Sequence, residues 1–301
     1  MSFAQPLGHH PLREALVGWR FVKTTGPAGD WIVFYHATAT LELTQEEVIT
    51  LSDRYRGVGG TGVVVVTGAH QTADKTVERH QLVAWRADGT GVDDMTEPAR
   101  AATSVMAALG IIDTQGTSHH VFQTDFGILT TVYTPAYIGV DIGQWSYAAP
   151  EIAQAAGSDA LVMTAGLTDP RPGLSIRLHR THISIAVETL DELEAIDLSQ
   201  QPSVEPVLEA PTSINFVVPE EPLIDSGMGQ LRIRHYNDIG DNSDVASAAA
   251  AAAVAFQNWA GIRQLALWKV QTPTGEVVVQ LHEHNRLSTF TTMSAVFFGN
   301  F

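Results

Sequence analysis

The stretch Ala246-Ser-Ala-Ala-Ala-Ala-Ala-Ala-Val-Ala-Phe256 constrains this chain more than any other. Alanine is the strongest helix former, so the run predicts a helix, and Asn258-Trp259-Ala260-Gly261 supplies its stop. Its side chains are small and apolar around the whole circumference. Such a helix has no face for solvent and must be enclosed on every side. Its narrow girth suits a tight wrapping of strands, and the rest of the chain has to provide them.

The runs Trp31–His36, Val63–Thr67 and Gln81–Arg86 are rich in Val, Ile and aromatics, with Gly and Asp between them, and read as strands. Pro98–Leu109 reads as a second helix, with Pro in its first turn, Gly110 at its end and Thr96 as its cap. Strands follow at Val121–Phe126, Ile128–Tyr133 and Ala136–Asp141, then short helices at Pro150–Ala156 and Leu190–Ile196. Residues 198–212, with several Pro, Ser and Glu, read as a loop, and 263–284 as closing strands. Residues 1–19 read as an amino-terminal extension.

The order strands–helix–strands thus occurs twice. It predicts an α+β chain of two pseudo-symmetric domains, each a mixed sheet or barrel wrapped round one central helix. The expected division is 1–140, completed by the carboxy-terminal strand 285–301, and 141–284. The starts of the two central helices are expected to converge on one cleft, offering free backbone N–H groups and positive dipole ends.

With 17 Lys and Arg against 33 Asp and Glu, the net charge of −16 opposes a nucleic-acid partner, whose phosphates need a basic face. The absence of cysteine removes disulfides, thiolate catalysis and Cys–zinc sites. No apolar run reaches membrane-spanning length, and Met1 to Arg20 lacks a hydrophobic signal core, so a cytoplasmic location and a small-molecule partner are expected. Gly57-Val-Gly-Gly-Thr-Gly62 precedes a strand and no Lys follows it, the reverse of a phosphate loop. No cofactor motif is present. His282 and His284 alternate on an expected strand but are too few for a metal, and His119-His120 is placed in a turn.

Several segments, in order, resemble the diaminopimelate epimerase family. Phe21-Val-Lys-Thr-Thr-Gly-Pro-Ala-Gly-Asp30 is similar to the family's F-x-K-x-x-G-x-x-N-D, and Leu51-Ser-Asp-Arg-Tyr-Arg-Gly-Val-Gly-Gly-Thr-Gly62 to L-C-D-R-x-x-G-I-G-A-D-G. Trp85-Arg-Ala-Asp-Gly89, Gln123-Thr-Asp-Phe-Gly-Ile128 and Val140-Asp-Ile-Gly143 resemble N-A-D-G, T-x-x-G-I and V-D-M-G. Ile214-Asn215 matches the N-V pair, and Leu231-Arg-Ile-Arg-His-Tyr236 precedes the E-R-G segment. The resemblance implies the epimerase fold and, by itself alone, a homodimer.

The family's chemistry does not carry over. Its first cysteine, in M-C-G-N-G-A-R, falls on Met95, with Thr96, Glu97 and Pro98 after it. Its second falls on Ala246, beside Ser247. A one-residue slip would put Thr96 or Ser247 at those positions. The family's asparagines become Gly29, Arg86 and Arg180, and only Asn215 remains. Its Glu-Arg pair becomes Asn237-Asp238, and of N-P-H only His182 is kept.

Racemisation by two bases needs one group to remove a proton and another to deliver one. Methionine and alanine can do neither, and hydroxyls are weak bases without activation. The catalytic candidates are therefore Glu97, His182, Arg86 and Arg180, the arginines as anion or carbonyl binders. The substrate-binding candidates are Met95, Thr96, Asn215, Asn237, Asp238, Ala246 and Ser247. Asp238, Asp241 and Asp244 read as loop and capping residues. The leading expectation is an enzyme without cofactor that cyclises, including by a [4+2] closure, or isomerises a natural-product intermediate larger and less polar than an amino acid. The alternatives are an acid–base isomerase or dehydratase using Glu97 or Asp94, and a non-catalytic binding paralogue.

Overall fold

The computed structural model describes residues 16–38, 41–71, 78–207, 212–238 and 244–301. The expected amino-terminal extension lies largely outside the described residues. Asp241 also lies outside them. The chain forms two compact units, one of residues 1–25, 29–133 and 293–301, the other of 26–28 and 134–292. The expected division at 140/141 moves to 133/134 because β7 (Ile138–Gln144) pairs antiparallel with β17 (Arg286–Thr291) inside the second unit. Only residues 293–301 return to the first unit, rather than 285–301.

The amino-terminal unit contains β1 (Arg20–Gly26), β2 (Gly29–His36), α1 (Gln45–Ser52), β3 (Gly62–Gln71), β4 (Glu78–Arg86), α2 (Thr96–Ala108), β5 (Ser118–Thr124), β6 (Gly127–Tyr133) and the last strand, β18 (Ser294–Asn300). β18 lies antiparallel to β1, which neighbours β2. β2 and β3 are parallel with α1 in the crossover, β3 and β4 antiparallel, β4 and β5 parallel with α2 in the crossover, and β5 and β6 antiparallel. Alternation along the strands separates two faces. Ile32, Phe34, Val63 and Val65 pack with Val48 and Leu51 of α1. The alternate residues Trp31, Val33, Val64 and Val66 are buried on the α2 side.

The carboxy-terminal unit repeats the plan. It contains β7, β8 (Ser146–Tyr147), α3 (Pro150–Ala156), β9 (Ala160–Met163), β10 (Arg171–Arg177), β11 (Thr181–Ala186), α4 (Leu190–Ala195), β12 (Ser203–Glu205), β13 (Thr212–Asp225), β14 (Met228–Tyr236), α5 (Val245–Ala260), β15 (Leu267–Thr272), β16 (Gly275–Leu281) and β17. β11 and β13 are parallel across α4, β13 and β14 antiparallel, β14 and β15 parallel across α5, and β15 and β16 antiparallel. Among the described residues at least seven strands touch α5, and its residues Val245–Ala255 are all buried. The alanine run is enclosed as its composition requires.

Both wraps use the same device to close over the helix. A Cβ on Gly62 would stand 2.6 Å from the ring of Trp31, its register partner across β2 and β3. A Cβ on Gly229 would stand 2.2 Å from the ring of Trp268, its partner across β14 and β15. A fully buried indole thus covers a glycine on the neighbouring strand in each unit.

Several local expectations are corrected. α2 begins at Thr96, which is its first residue and not its cap; Met95 takes the cap position, and the Asp94 carboxylate accepts the Thr96 N–H at 2.8 Å. His119 and His120 lie within β5 rather than in a turn. β16 ends at Leu281, so His282 and His284 do not share a strand face, and His284 adopts a left-handed φ of 58°. The expected loop 198–212 contains β12. Among the described residues no helix is long and apolar enough to cross a membrane.

Candidate functional site

Strand register in the carboxy-terminal unit sorts polar from apolar side chains. His182 pairs with Ser213 and Ser184 with Asn215 across β11 and β13, and Asn215 faces His235 across β13 and β14. Their sequence neighbours Ile183, Ile185, Ile214 and Phe216 point the other way and pack against Leu193 and Ile196 beside α4. The polar set therefore lies on the α5 side of the sheet. An alanine-rich helix approaches a sheet closely, and small or hydrogen-bonding residues fill that narrow space.

Asp244, immediately before α5, is the hub of this face. Its carboxylate is buried and accepts from Asn237 Nδ2 at 2.6 Å, from the Ser213 hydroxyl, and pairs with His235 Nε2 at 3.3 Å. Arg180 Nη1 lies 4.0 Å from it and 3.0 Å from Asp238. Burial alone would raise the carboxyl pKa. The His235 hydrogen bond and charge, the nearby fully buried His182 and the Ser213 hydroxyl overcome that and hold it well below the usual carboxylate range. Asp244 is therefore an anion at neutral pH. Its main-chain carbonyl accepts Ala248 N at 2.8 Å, and the positive end of α5 adds to the same field. Ala246 and Ser247, in the first turn of α5, are buried beside it in sequence. Asn215 Nδ2 donates to Ser184 Oγ at 3.5 Å, and its buried Oδ1 has no hydrogen-bond partner among the described residues.

The amino-terminal unit holds its own set at the start of α2. Met95 and Thr96 are buried, and Thr96 Oγ1 has no hydrogen-bond partner among the described residues. Glu97 and Arg100 form a fully buried ion pair, with Nε 3.3 Å from each carboxylate oxygen. Burial pushes the Glu97 carboxyl up, with Asp94 acting in the same direction and Arg100 against it. Arg86 is engaged by Asp93 and by the Gly91 carbonyl at 2.7 Å. Nearby, Lys23 and Arg54 both clasp Asp30, at 2.8 Å and 2.6 Å.

No protein-family model matches the chain. Over 281 residues it is 27% identical to the diaminopimelate epimerase of Mycolicibacterium smegmatis, a match spanning 87% of this chain and 90% of that protein. The structure of a phenazine biosynthesis protein of the PhzF family from Bacillus anthracis superposes with a TM-score of 0.59 at 13% identity, covering 94% of this chain and 98% of the other. The fold is that of the diaminopimelate epimerases. Methylitaconate-delta-isomerase superposes on it as well, with a TM-score of 0.51 at 10% identity over 94% and 95% of the two chains. This chain is a divergent form of the epimerase fold, one without a cysteine, and the fold is one that epimerases and isomerases use.

Within the epimerase fold, the structure gathers His182, Arg180, Asn215, Asn237 and Asp238 on or beside one cluster of the carboxy-terminal unit. Arg86 and Arg180, read as anion binders, each carry an internal carboxylate partner. Asp244 and His235 are the residues that sequence reasoning missed. Asp244 reads as a helix cap, yet its side chain makes no cap hydrogen bond. The available signal was alternation: Leu231 and Ile233 are inward on β14, and the same phase continues through His235 to Asn237.

Proposed function

We propose that this chain is a cofactor-independent isomerase that moves a proton within a small molecule, using the imidazoles gathered on Asp244 in place of the thiols of the epimerase family. One observation carries the reading. A buried carboxylate paired with an imidazole stands immediately before the enclosed helix, two residues before Ala246, where the resemblance puts a family cysteine.

Asp244 acts as a positioning residue. Holding His235 by Nε2, it fixes the orientation of the ring. Imidazole accepts a proton from a substrate carbon and returns it to another position, so the atoms balance without a co-reactant. His182, on the same sheet face, is the second proton-transfer candidate. Asn215 Oδ1 supplies an acceptor for a substrate O–H or N–H. General acid–base groups of this kind contribute about 10²–10⁴-fold in rate.

A second reading, an intramolecular cyclisation of a natural-product intermediate, is favoured by Met95 and Ala246, which put two buried apolar side chains where the family has thiols. The substrate class that fits either reading is less polar than a free amino acid, because Asn237 and Asp238 replace the Glu-Arg pair.

The test is a screen of carbon acids and unsaturated carboxylic acids for products of unchanged mass, with no cofactor added. The expected result is turnover that His235→Gln and His182→Gln each lower at least a hundredfold while circular dichroism stays native. Turnover unaffected by both substitutions would overturn the assignment.

A further inference from the structure

The opposite end of α5 carries an open cavity of about 790 Å³, wholly within the carboxy-terminal unit. At 1.5 Å per residue the 16-residue helix puts it about 24 Å from Asp244. Its volume suits a small-molecule ligand.

Four elements make the walls: β8, α3, the end of α5 and the turn after β16. They are fixed to each other. Trp259 Nε1 donates to the Gly157 carbonyl at 2.7 Å, and Gln257 Nε2 donates to the Leu265 carbonyl at 2.7 Å. Tyr147 Oη donates to Asn258 Oδ1 at 3.1 Å, tying β8 to α5. In the turn, His284 and Asn285 both take a φ of 58°, a conformation that L residues with side chains rarely adopt. Gln144 Nε2 and Trp145 N hold that turn by its two carbonyls, at 3.2 Å and 2.9 Å. Two consecutive left-handed residues clamped at a cavity wall are the kind of strain that accompanies ligand sites.

The lining has a definite chemistry. Trp145 and Tyr147 meet edge to face, centroids 5.1 Å apart at 80°, and both are half-buried. Gln154 and Asn285 are exposed amides. Arg263 is the only formal charge among the lining residues, is exposed, and forms no ion pair among the described residues. Burial pushes the Tyr147 phenol up, and the Arg263 charge acts against that rise. No acidic side chain lines it among the described residues.

We propose that this cavity is a second ligand site, one that takes a planar aromatic carboxylate: the ring stacks on Trp145 and the carboxylate pairs with Arg263. A guanidinium–carboxylate pair at an aromatic wall combines direction with contact area. The inference does not depend on the isomerase reading.

Calorimetric titration of the full chain with 2-naphthoate and its uncharged analogue 2-naphthamide tests it. Naphthoate is expected to bind at least tenfold more tightly, Arg263→Gln to abolish that preference, and Trp145→Ala to weaken both ligands at least fivefold. In ¹⁵N spectra the side-chain amides of Gln154 and Asn285 are expected to shift. Equal affinity for the two ligands, no binding at millimolar concentration, an inert Arg263→Gln, or shifts at Asn215 and Asn237 instead would each overturn it.

Discussion

Ser213 donates its hydroxyl to the Asp244 carboxylate across 31 residues of sequence, tying the start of β13 to the residue immediately before the helix that the sheet encloses. Both groups are buried. Ser213→Ala removes one of the donors that keep this carboxylate satisfied. Leaving a buried charge one bond short costs about 1–3 kcal/mol. Urea unfolding of wild type and variant measures the loss, and a change within about 0.5 kcal/mol, the range of surface substitutions, would contradict the role given to Ser213.

Asp244 gives the unit a pH dependence of known sign. Its folded-state pKa is depressed, so its contribution is fully present above the unfolded value of about 3.9 and is lost as pH falls below it. The stability gap between wild type and Asp244→Asn is therefore expected to shrink on acidification below about pH 4. A gap that widens in acid would show that the carboxyl is not held ionised by its neighbours.

The buried pair of Glu97 and Arg100 is expected to behave as one unit. Removing a single partner strands a charge in the core, so Glu97→Ala costs about 3–5 kcal/mol. Replacing both residues with methionine restores most of that loss, because the desolvation of two charges disappears with the pair. Guanidinium unfolding of the single and double variants decides it; additive losses would refute the coupling.

Gly229 has no room for a side chain under the Trp268 ring. Gly229→Ala is expected to cost about 1–3 kcal/mol as an overpacked contact. Pairing it with Trp268→Leu relieves the clash, so the double variant is expected to lose less than the sum of the two single losses, each measured by thermal unfolding.

The enclosed helix, the flanking strands and the two-fold repeat of the plan were legible because each rests on a pattern that packing enforces. A helix that is apolar around its whole circumference is buried on every side, and a run rich in Val, Ile and aromatics such as Trp31–His36, bounded by Gly and Asp, reads as a strand. The helix α1 was missed: it is short, and only Val48, Leu51 and Ser52 of it are buried. Its signal lay in Thr44 and Glu47, which form a reciprocal capping box. The start of α2 was misplaced because Thr96 has the chemistry of a cap while Asp94, two residues earlier, accepts its N–H. The role of Asp244 was hidden for a related reason. Its partners His235, Ser213 and Asn237 come from β13, β14 and the residue after β14, and only register brings them together.

Proton transfer at the Asp244 cluster is the central claim, and solvent isotope incorporation tests it most directly. Turnover of an accepted substrate in D₂O, read by mass spectrometry, is expected to place solvent deuterium on a product carbon, and Asp244→Asn is expected to slow product formation and incorporation together. A ring-closed product formed at the wild-type rate without any deuterium would contradict the proton-transfer account and establish cyclisation in its place.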